Sequence, residues 1–305
     1  MKRVKTSWID GELLRQFELE KTSAYRLCTA AGGWVERYGE DVLVSFQSDD
    51  VRERLTTEYF LWAQRTGFVL KRMFARFLPR ANAERVAPRL LLGDPTLSLR
   101  SVVMERGLEF GLDFGAGYSA GLFIDQRENR SFVRHVAPKK LLNCFAYTGS
   151  FSIAAAASGA STLSIDLSRK SLERTQENFA LNQMSTAGHR FLTDDVLEVI
   201  PRLARKGEKF DLIVLDPPTF SRARRRTFHV ESDFERLLCA ALGLAERGGR
   251  ILLSTNCLKL TERTLEVMAR FCLKTARRAG DFHRQPLPVE FPPGSAASTV
   301  WLTLR

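Results

Sequence analysis

The sequence predicts an α/β protein with a mostly parallel sheet in its larger part and a smaller α+β domain before it. The prediction rests on two observations: strand and helix patterns alternate between residues 140 and 279, and residues 210–215 form a nearly continuous apolar run. Parallel strands are covered by helices on both faces, which favours such uninterrupted apolar segments. We predict an N-terminal α+β domain over residues 1–95, a candidate for binding substrate or RNA, and the larger domain over residues 96–305.

Composition limits the classes of function. The chain has 305 residues, 44% of them hydrophobic, and carries a net charge of +11, which favours a polyanionic partner such as nucleic acid. No apolar run is long enough to cross a bilayer, and the basic N-terminus lacks the apolar segment of a secretory signal. Five cysteines without a CxxC spacing argue against a disulfide framework or a zinc site. We therefore expect a reduced, cytoplasmic protein without a metal.

The first 125 residues contain mixed strand and helix signals. Residues 41–46 alternate as a strand does, and the apolar spacing over residues 49–78 predicts one long amphipathic helix or two. Residues 101–125 contain apolar runs broken by glycines, which predicts a hairpin or ribbon. The polar cluster at residues 125–130 is expected to open a helix that ends near Val136.

Residues 140–166 organise the larger domain. They predict a strand, a turn at residues 143–149, an alanine-rich helix and a second strand that ends at Asp166. Asp166 follows Gly149 by 17 residues, close to the spacing at which nucleotide-binding units place an acid on ribose hydroxyls. The turn would bring backbone N–H groups and a helix N-terminus near a ligand. It lacks the G-x-G-x-x-G pattern of dinucleotide sites, so an ordinary βαβ crossover is the alternative.

Later strands also end in polar residues. Ser168 is expected to cap a helix through Asn182, and the strand 190–193 precedes a helix over residues 196–205. Helices are further predicted over residues 233–246 and 261–279, a strand over residues 250–254, and a closing strand pair in residues 289–304. The carboxyl ends of parallel strands meet at one edge of a sheet, where ligands bind. Five residues fall at such ends: Asn143, Asp166, Asp195, Asp216 and Cys257.

Three strings resemble a known family. They are GLFIDQRENR (121–130), LLNCFAYTGSFSIAAAASGA (141–160) with SIDLSRKSLERTQENFALN (164–182), and FDLIVLDPPTF (210–220). They are similar to the class I S-adenosylmethionine-dependent methyltransferases of 23S ribosomal RNA, in the group that contains the 5-methylcytosine and guanine-N7 enzymes. The resemblance implies a Rossmann-like fold with a mostly parallel seven-stranded sheet. It also implies S-adenosyl-L-methionine as cofactor, ribosomal RNA as partner, and a monomer or homodimer. The N-terminal PUA module of many members is expected to be absent.

The resemblance assigns site residues. Asp166 would take the ribose hydroxyls and Asp195 the adenine amino group, although Asp195 is equally suited to capping a helix. Gln126 and Arg127 would close over the cofactor. The whole cofactor set implied comprises Gln126, Arg127, Asn143, Phe145, Tyr147, Thr148, Gly149, Asp166, Leu167, Ser168, Asp195, Val196, Asp216 and Pro217.

Asp216 begins the presumed acceptor loop, and its carboxylate suits a hydrogen bond to a base edge. Phe220 suits either stacking on a flipped base or core packing. Substrate contacts are expected from Pro218, Phe220, Arg222, Arg224, Arg225 and Arg226, the arginines through phosphates.

The target atom is open. Methylation at carbon 5 of cytosine needs a thiolate that attacks carbon 6, and Cys257 lies at a strand end that matches the cysteine position of the 5-methylcytosine enzymes. This is the preferred hypothesis, with Cys257 and Asp216 catalytic. The string DPPTFS instead resembles the guanine-N7 group. A methyltransferase of proteins or small molecules, and a non-catalytic RNA-binding protein, are further alternatives.

Overall fold

The computed structural model describes residues 7–79, 85–222 and 227–305. The chain divides into two units. One contains the residues up to Ile124 together with Pro288–Pro292, and the other contains Asp125–Leu287 with Pro293–Arg305. The first unit therefore extends beyond residue 95, the boundary that the sequence suggested. No helix within the described residues has the length and apolar character that crossing a bilayer requires.

The first unit is built on a six-stranded sheet in which strands pair in chain order, from β1 to β6. Its strands are β1 (Ser7–Trp8), β2 (Ala24–Ala30), β3 (Gly33–Tyr38), β4 (Asp41–Phe46), β5 (Arg72–Phe77) and β6 (Arg89–Leu92), and its helices are α1 (Gly11–Leu19) and α2 (Asp49–Thr66). Strands β4 and β5 are parallel, with α2 in the connection between them. Buried ion pairs such as Arg72 with Asp41, 2.7 Å apart, satisfy the charges that the sheet encloses.

The helix predicted over residues 49–78 is wrong in its second half. Helix α2 ends at Thr66 because Gly67 adopts a left-handed conformation with φ 70°. Residues 72–77 instead form β5, whose first four residues are buried. An apolar segment buried on both faces satisfies helical spacing as well as strand spacing, which explains the error.

The predicted hairpin is confirmed. It consists of β7 (Arg100–Glu105) and β8 (Leu108–Asp113), which pair antiparallel. Backbone Met104 N–H donates to the hydroxyl of Ser23 at 2.9 Å, which joins the hairpin to the start of β2 within the first unit.

The second unit is the predicted α/β fold. Its seven-stranded sheet has the order β11-β10-β9-β12-β15-β17-β16, and only the pairings of β17 are antiparallel. The strands, with the separate pair β13–β14, are β9 (Lys140–Cys144), β10 (Ser161–Asp166), β11 (Arg190–Thr193), β12 (Phe210–Leu215), β13 (Phe220–Arg222), β14 (Thr227–His229), β15 (Ala245–Thr255), β16 (Gly280–His283) and β17 (Ser298–Leu304). The helices are α3 (Arg127–Val136), α4 (Ser150–Ala156), α5 (Arg169–Leu181), α6 (Val196–Arg205), α7 (Val230–Leu242) and α8 (Glu262–Thr275).

Both faces of this sheet are apolar because successive strand residues point to opposite sides. In β9, Leu142 packs in the cluster formed with α6, α7 and α8, whereas Leu141 packs in the cluster formed with α3 and α4. In β12, Ile213 and Val214 divide in the same way. Helices therefore cover both faces, as the apolar runs predicted.

Several element boundaries differ from the sequence prediction. The closing strand pair expected within residues 289–304 is formed by β16 and β17, so its first strand lies before the predicted range. Helix α7 ends at Leu242 instead of continuing to Glu246, because strand β15 begins at Ala245 and extends an element expected only over residues 250–254. The residues after the acceptor loop form the short antiparallel pair β13–β14 where a loop was expected. Arg224, Arg225 and Arg226 lie outside the described residues.

The expectation that every cysteine is reduced is wrong. Cys239 of α7 and Cys272 of α8 form a disulfide across 33 residues of chain. The spacing of cysteines gave no sign of it, because the two residues meet only once both helices pack on the same face of the sheet. Cys28, Cys144 and Cys257 are free and buried.

Candidate active site at the carboxyl edge of the sheet

The register of the sheet aligns the predicted strand ends. Cys144 lies opposite both Ile165 and Leu215, and Leu215 lies opposite Leu253. The next residue in the chain after each of these positions falls at the edge of the sheet. These four residues, called the row below, are Phe145, Asp166, Asp216 and Ser254. The chain order reverses at β9, which has β10 on one side and β12 on the other. Such a reversal opens a crevice at the carboxyl edge, and the row lies at that edge.

The turn after β9 has an unusual backbone. Phe145, Tyr147 and Gly149 all have positive φ values, of 59°, 50° and 73°. The left-handed region is costly for residues with a Cβ, about 1–3 kcal/mol in strained cases, so surrounding contacts must hold the turn in place. The backbone N–H of Gly149 donates to Ala146 at 2.8 Å and closes the turn.

Two buried side chains of α5 supply further support. The hydroxyl of Thr175 donates to the carbonyl oxygen of Tyr147 at 3.1 Å, and the side-chain amide of Asn178 donates to the carbonyl of Thr148 at 2.8 Å. Neither residue was among those that the sequence singled out. Their spacing of three residues on one helix face, directly after the acidic strand end, is the signal that was available.

Asn143 lies beneath this turn. Its side-chain amide donates to the hydroxyl of Ser152 at 2.9 Å, and Ser152 is 2.8 Å from the hydroxyl of Ser164. Asn143 and both serines are buried. The side chain of Asn143 therefore joins β9 to α4 and β10, and its contact with the cofactor stays a prediction.

Asp166 faces the turn from the end of β10. One carboxylate oxygen accepts from backbone Tyr147 N–H and the other from backbone Ser168 N–H, both at 2.8 Å. Burial raises the pKa of Asp166, and the two backbone donors oppose that rise. Each carboxylate oxygen has a second lone pair, so Asp166 retains acceptor capacity for a ligand hydroxyl. Ser168 caps α5 by accepting from Ser171 N–H, as predicted, while Leu167 is exposed.

Asp195 caps α6. One of its carboxylate oxygens accepts from backbone Leu197 N–H at 2.9 Å, and Val196 next to it is buried in the core. The neighbouring Asp194 pairs with Arg202, which lowers the pKa of Asp194. Capping uses only part of the acceptor capacity of Asp195, so the cap and a contact to a ligand amino group are compatible.

Asp216 has the most perturbed carboxyl of the row. Burial raises its pKa to about 6, and the nearby charge of Asp125 contributes to the rise. A hydrogen bond from Ser254 and the charge of Arg130 act in the opposite direction. Titratable groups with such shifts concentrate at functional sites.

The side chain of Gln126 lies in a buried network behind Asp216. Its amide donates to the hydroxyl of Ser254 at 3.0 Å and accepts from the amide of Asn129 at 2.9 Å. Asn129 in turn accepts from the indole N–H of Trp301 at 2.8 Å. Gln126 is 3% exposed and Arg127 is buried beside Glu128. The network links Ser254, next to Asp216, to the C-terminal strand β17. That Gln126 and Arg127 close over a cofactor stays a prediction.

The acceptor loop follows Asp216. Pro217 is buried and Pro218 is exposed. The hydroxyl of Thr219 donates to Asn256 Oδ1 at 2.9 Å, which joins the loop to the end of β15. Phe220 is 51% exposed, which excludes the alternative of a core residue, and its ring packs edge-on against His229 with centroids 5.1 Å apart. Arg222 closes β13 and is exposed.

Cys257 is not presented at this edge. Its side chain is 7% exposed and belongs to the same apolar cluster as Leu260 and Leu265. Its backbone N–H donates to the hydroxyl of Thr255 at 3.1 Å. The exposed residue at the tip of β15 is Asn256.

Comparisons with known proteins agree with this geometry. The protein YwbD of Bacillus subtilis (strain 168), assigned as a ribosomal RNA large subunit methyltransferase, is 38% identical over 158 residues, which are 51% of this chain and 40% of that protein. Ribosomal RNA large subunit methyltransferase I of Aeromonas salmonicida (strain A449) is 33% identical over 182 residues, 58% of this chain and 46% of that protein. The matched segments thus span less than half the length of these two relatives.

Among solved structures, SMU.776, assigned as a methyltransferase and solved in complex with SAH, superimposes with a TM-score of 0.82 at 25% identity. The match covers 96% of this chain and 78% of that chain. Residues 47–301 match the family described as S-adenosylmethionine-dependent methyltransferase. Because the match covers most of the chain, including six strands of the seven-stranded sheet and the first half of β17, the chain belongs to the S-adenosylmethionine-dependent methyltransferase family.

Proposed function

We propose that this protein transfers a methyl group from S-adenosyl-L-methionine to a base of large-subunit ribosomal RNA. The observation that carries the proposal is the row formed by Phe145, Asp166 and Asp216 at the carboxyl edge of the sheet. In this row the turn at Phe145 and the carboxylate of Asp166, which suit the cofactor, lie beside the carboxylate of Asp216, which suits a nucleobase. The two relatives described above are named for methylation of the same class of RNA.

The residues at the turn fit the cofactor. Gly149 has no room for a Cβ, and the positive φ values of the turn fix the direction of its backbone groups. We assign the backbone of residues 145–149 to the methionine part, Asp166 to the ribose hydroxyls, and Asp195 to the adenine amino group. When bound, the cofactor supplies an electrophilic methyl carbon: the base lone pair forms the new bond while the carbon–sulfur bond breaks and sulfur keeps its electron pair.

Asp216 suits a base that gains positive charge. Methylation at a ring nitrogen such as guanine N7 leaves the nucleobase cationic. No side chain has to remove a proton from it. A carboxylate at the strand end stabilises that charge, and partial burial strengthens the interaction because water screens it less. Ser254 lies next to this carboxylate and is itself held by a hydrogen bond from the Gln126 amide.

The surface next to Asp216 suits RNA. Phe220 and His229 form an exposed aromatic pair on which an unstacked base can rest. Arg222 is the last residue of β13, the strand that begins at Phe220. The net charge of +11 favours a polyanionic partner. Arg224, Arg225 and Arg226 stay predicted phosphate contacts.

The position of Cys257 decides our choice of target atom. Attack on carbon 6 of cytosine needs a thiolate that reaches the base, but the Cys257 side chain packs in the apolar cluster. Asn256, which is exposed and bonded to the acceptor loop, occupies the corresponding surface. We therefore favour guanine N7 and keep cytosine carbon 5 as the second candidate, supported by the placement of Cys257 next to Asn256.

The variant Cys257→Ala separates the two candidates. Ribosomal RNA from a strain that lacks the protein is methylated in vitro with the wild-type protein and with Cys257→Ala, and the nucleosides are identified by mass spectrometry. We expect equal amounts of 7-methylguanosine from both proteins. Formation of 5-methylcytidine that disappears in Cys257→Ala would instead establish covalent chemistry at cytosine. Binding of S-adenosylmethionine by both proteins, measured by calorimetry, shows that the variant is folded.

A further inference from the structure

We propose that Asn256 selects the target base by donating a side-chain N–H to a carbonyl oxygen next to the reacting ring nitrogen, the O6 of guanine. The inference rests on the proposed methylation of a ribosomal RNA base and adds a residue that determines which base is accepted. It is carried by the contact between Asn256 and the acceptor loop, and by the exposure of Asn256 at the tip of β15.

Asn256 is placed on the side of β15 that faces the acceptor loop. The pairing of Leu215 with Leu253 places Ser254 next to Asp216, and Asn256 bonds to Thr219, three residues after Asp216. Asn256 directly follows Thr255, the last residue of β15, and its hydrogen bond to Thr219 places its side chain on the side of the loop. The end of β15 therefore meets the acceptor loop at Ser254 and again at Asn256. The side-chain amide of Asn256 is exposed.

The contact with Thr219 fixes which end of the amide is available. The Thr219 hydroxyl donates to Oδ1 at 2.9 Å, so Oδ1 lies towards the loop and Nδ2 extends away from it. Nδ2 carries two N–H groups and has no hydrogen-bond partner within residues 7–79, 85–222 and 227–305. An oriented donor is thus exposed next to Thr219 of the acceptor loop, which lies between Asp216 and Phe220 of β13 in the chain.

The chemistry of purines makes this donor selective. Guanine presents N7 and O6 on the same edge, both as acceptors, whereas adenine presents an amino donor where guanine has O6. A donor from Asn256 pairs with O6 and opposes the amino group of adenine. A site that bonds a polar group of its substrate rejects analogues that lack it, because its own polar group is then left without a partner.

The test is a double-mutant cycle between protein and RNA. Short RNAs that span the mapped site carry guanine, or 2-aminopurine, which keeps N7 and lacks O6. We expect wild-type kcat/KM to fall roughly tenfold on 2-aminopurine RNA, and Asn256→Ala to lose a similar factor on guanine RNA, as one buried hydrogen bond implies. On 2-aminopurine RNA, Asn256→Ala should lose nothing further. Because the intrinsic reactivity of each base is the same for both proteins, it cancels in the cycle.

Two further variants make the result specific. Asn256→Asp keeps the shape and removes the donor, so it should lose at least as much as Asn256→Ala. The matched control is Leu258→Ala, in the same loop with 95% of the Leu258 side chain exposed, which should follow the wild-type pattern with both RNAs. Affinity for S-adenosylmethionine, measured by calorimetry, should be equal in all four proteins.

The cycle also separates this inference from the proposed function. If wild-type protein methylates guanine N7 but the two losses are additive, Asn256 does not contact O6 and the inference is overturned while the function stands. If wild-type protein methylates ribosomal RNA at an atom other than guanine N7, the inference is overturned while methylation of ribosomal RNA stands. If it methylates no ribosomal RNA, both are overturned before the cycle is measured.

Discussion

Gly149 lies against Thr175 so closely that a Cβ on Gly149 would be 2.1 Å from Cγ2 of Thr175. The same threonine donates a hydrogen bond to Tyr147 within the turn. One contact therefore explains both why the turn needs glycine at this position and how α5 holds the turn. The single glycine of this turn takes its importance from packing, since the dinucleotide pattern of three glycines is missing.

Replacing Gly149 by alanine should displace the turn and weaken cofactor binding. Gly149→Ala combines a left-handed backbone, φ 73°, with a clash against a buried side chain. We expect a loss of roughly tenfold or more in affinity for S-adenosylmethionine, measured by calorimetry, and a destabilisation of about 2 kcal/mol or more.

Gly159→Ala is the matched control for that variant. Gly159 also has a left-handed backbone, φ 92°, but no atom lies within 4 Å of the added Cβ. It should lose about 1 kcal/mol of stability and keep its cofactor affinity. Equal affinities in both variants would show that the turn does not contact the cofactor.

Removing the charge of Asp216 should stabilise the protein above pH 6. The pKa of this carboxyl rises from 3.8 to about 6 on folding, so the folded state binds the proton more tightly than the unfolded state does. Stability attributable to Asp216 therefore falls as pH rises from about 4 through 6, and it is lowest above pH 6. Asp216→Asn should gain about 1–2 kcal/mol at pH 7, a figure reduced for partial exposure, and little at pH 4.

Urea unfolding at both pH values measures the effect, with methyl transfer assayed in parallel at pH 7. Asp216→Asn should lose most of its activity while gaining stability, the exchange expected of an active-site acid. Asp194→Asn should instead lower the stability at pH 7, because pairing with Arg202 lowers the pKa of Asp194. An Asp216→Asn protein that is less stable at pH 7 than at pH 4, relative to wild type, would contradict the account of its burial.

Breaking the network behind Asp216 should lower turnover more than binding. Gln126→Leu leaves Ser254 and Asn129 without their buried partner, at a cost of about 1–3 kcal/mol. Because Ser254 then no longer holds Asp216, we expect kcat to fall while the KM for RNA and the affinity for S-adenosylmethionine change little.

Steady-state kinetics at several pH values tests this role. An Asp216 carboxyl that is no longer held in place should have a different pKa, which shifts the acidic limb of the plot of kcat against pH. Ser158→Ala is a suitable control, because the Ser158 hydroxyl bonds only to Ala155 among the described contacts, away from this network. A Gln126→Leu protein with unchanged kcat and a weakened cofactor complex would favour the original expectation that Gln126 contacts the cofactor.

The aromatic pair should contribute to RNA binding. Stacking of a base on an aromatic side chain is worth about 1–3 kcal/mol, so Phe220→Ala should raise the KM for RNA roughly tenfold. His229→Ala should have a smaller effect, because His229 supports the edge of the Phe220 ring. Phe271→Ala on α8 is the control, since Phe271 is similarly exposed, at 55%, but lies on a different element. Unchanged RNA binding by Phe220→Ala, in gel-shift titrations, would remove Phe220 from the substrate site.

The sequence predicted the row of strand ends because that row depends only on topology. Once strands and helices alternate, Asp166 and Asp216 must lie at the same edge, and the register confirms it. It could not predict where a side chain points. Gln126 belongs to a string shared with a family, yet a string does not distinguish a residue that contacts ligand from one that supports the residue beside it.

For a related reason, the sequence could not predict which side chain at the end of β15 faces the acceptor loop. Asn256 and Cys257 both follow Thr255, the last residue of β15, and the sequence does not say how the chain turns there. The bond between Thr219 and Asn256 and the burial of Cys257 show which of them faces the loop. The disulfide between Cys239 and Cys272 likewise depends on how two helices pack, which no local pattern records.

The central claim is tested most directly by incubating the purified protein with large-subunit ribosomal RNA and S-adenosylmethionine that carries an isotope-labelled methyl group. The RNA is then digested, and the labelled nucleoside is identified by mass spectrometry. The account predicts label in 7-methylguanosine, at the same level with Cys257→Ala and at a strongly reduced level with Asp216→Asn. Label in no nucleoside, or equal labelling with and without the Asp216 carboxylate, would contradict it.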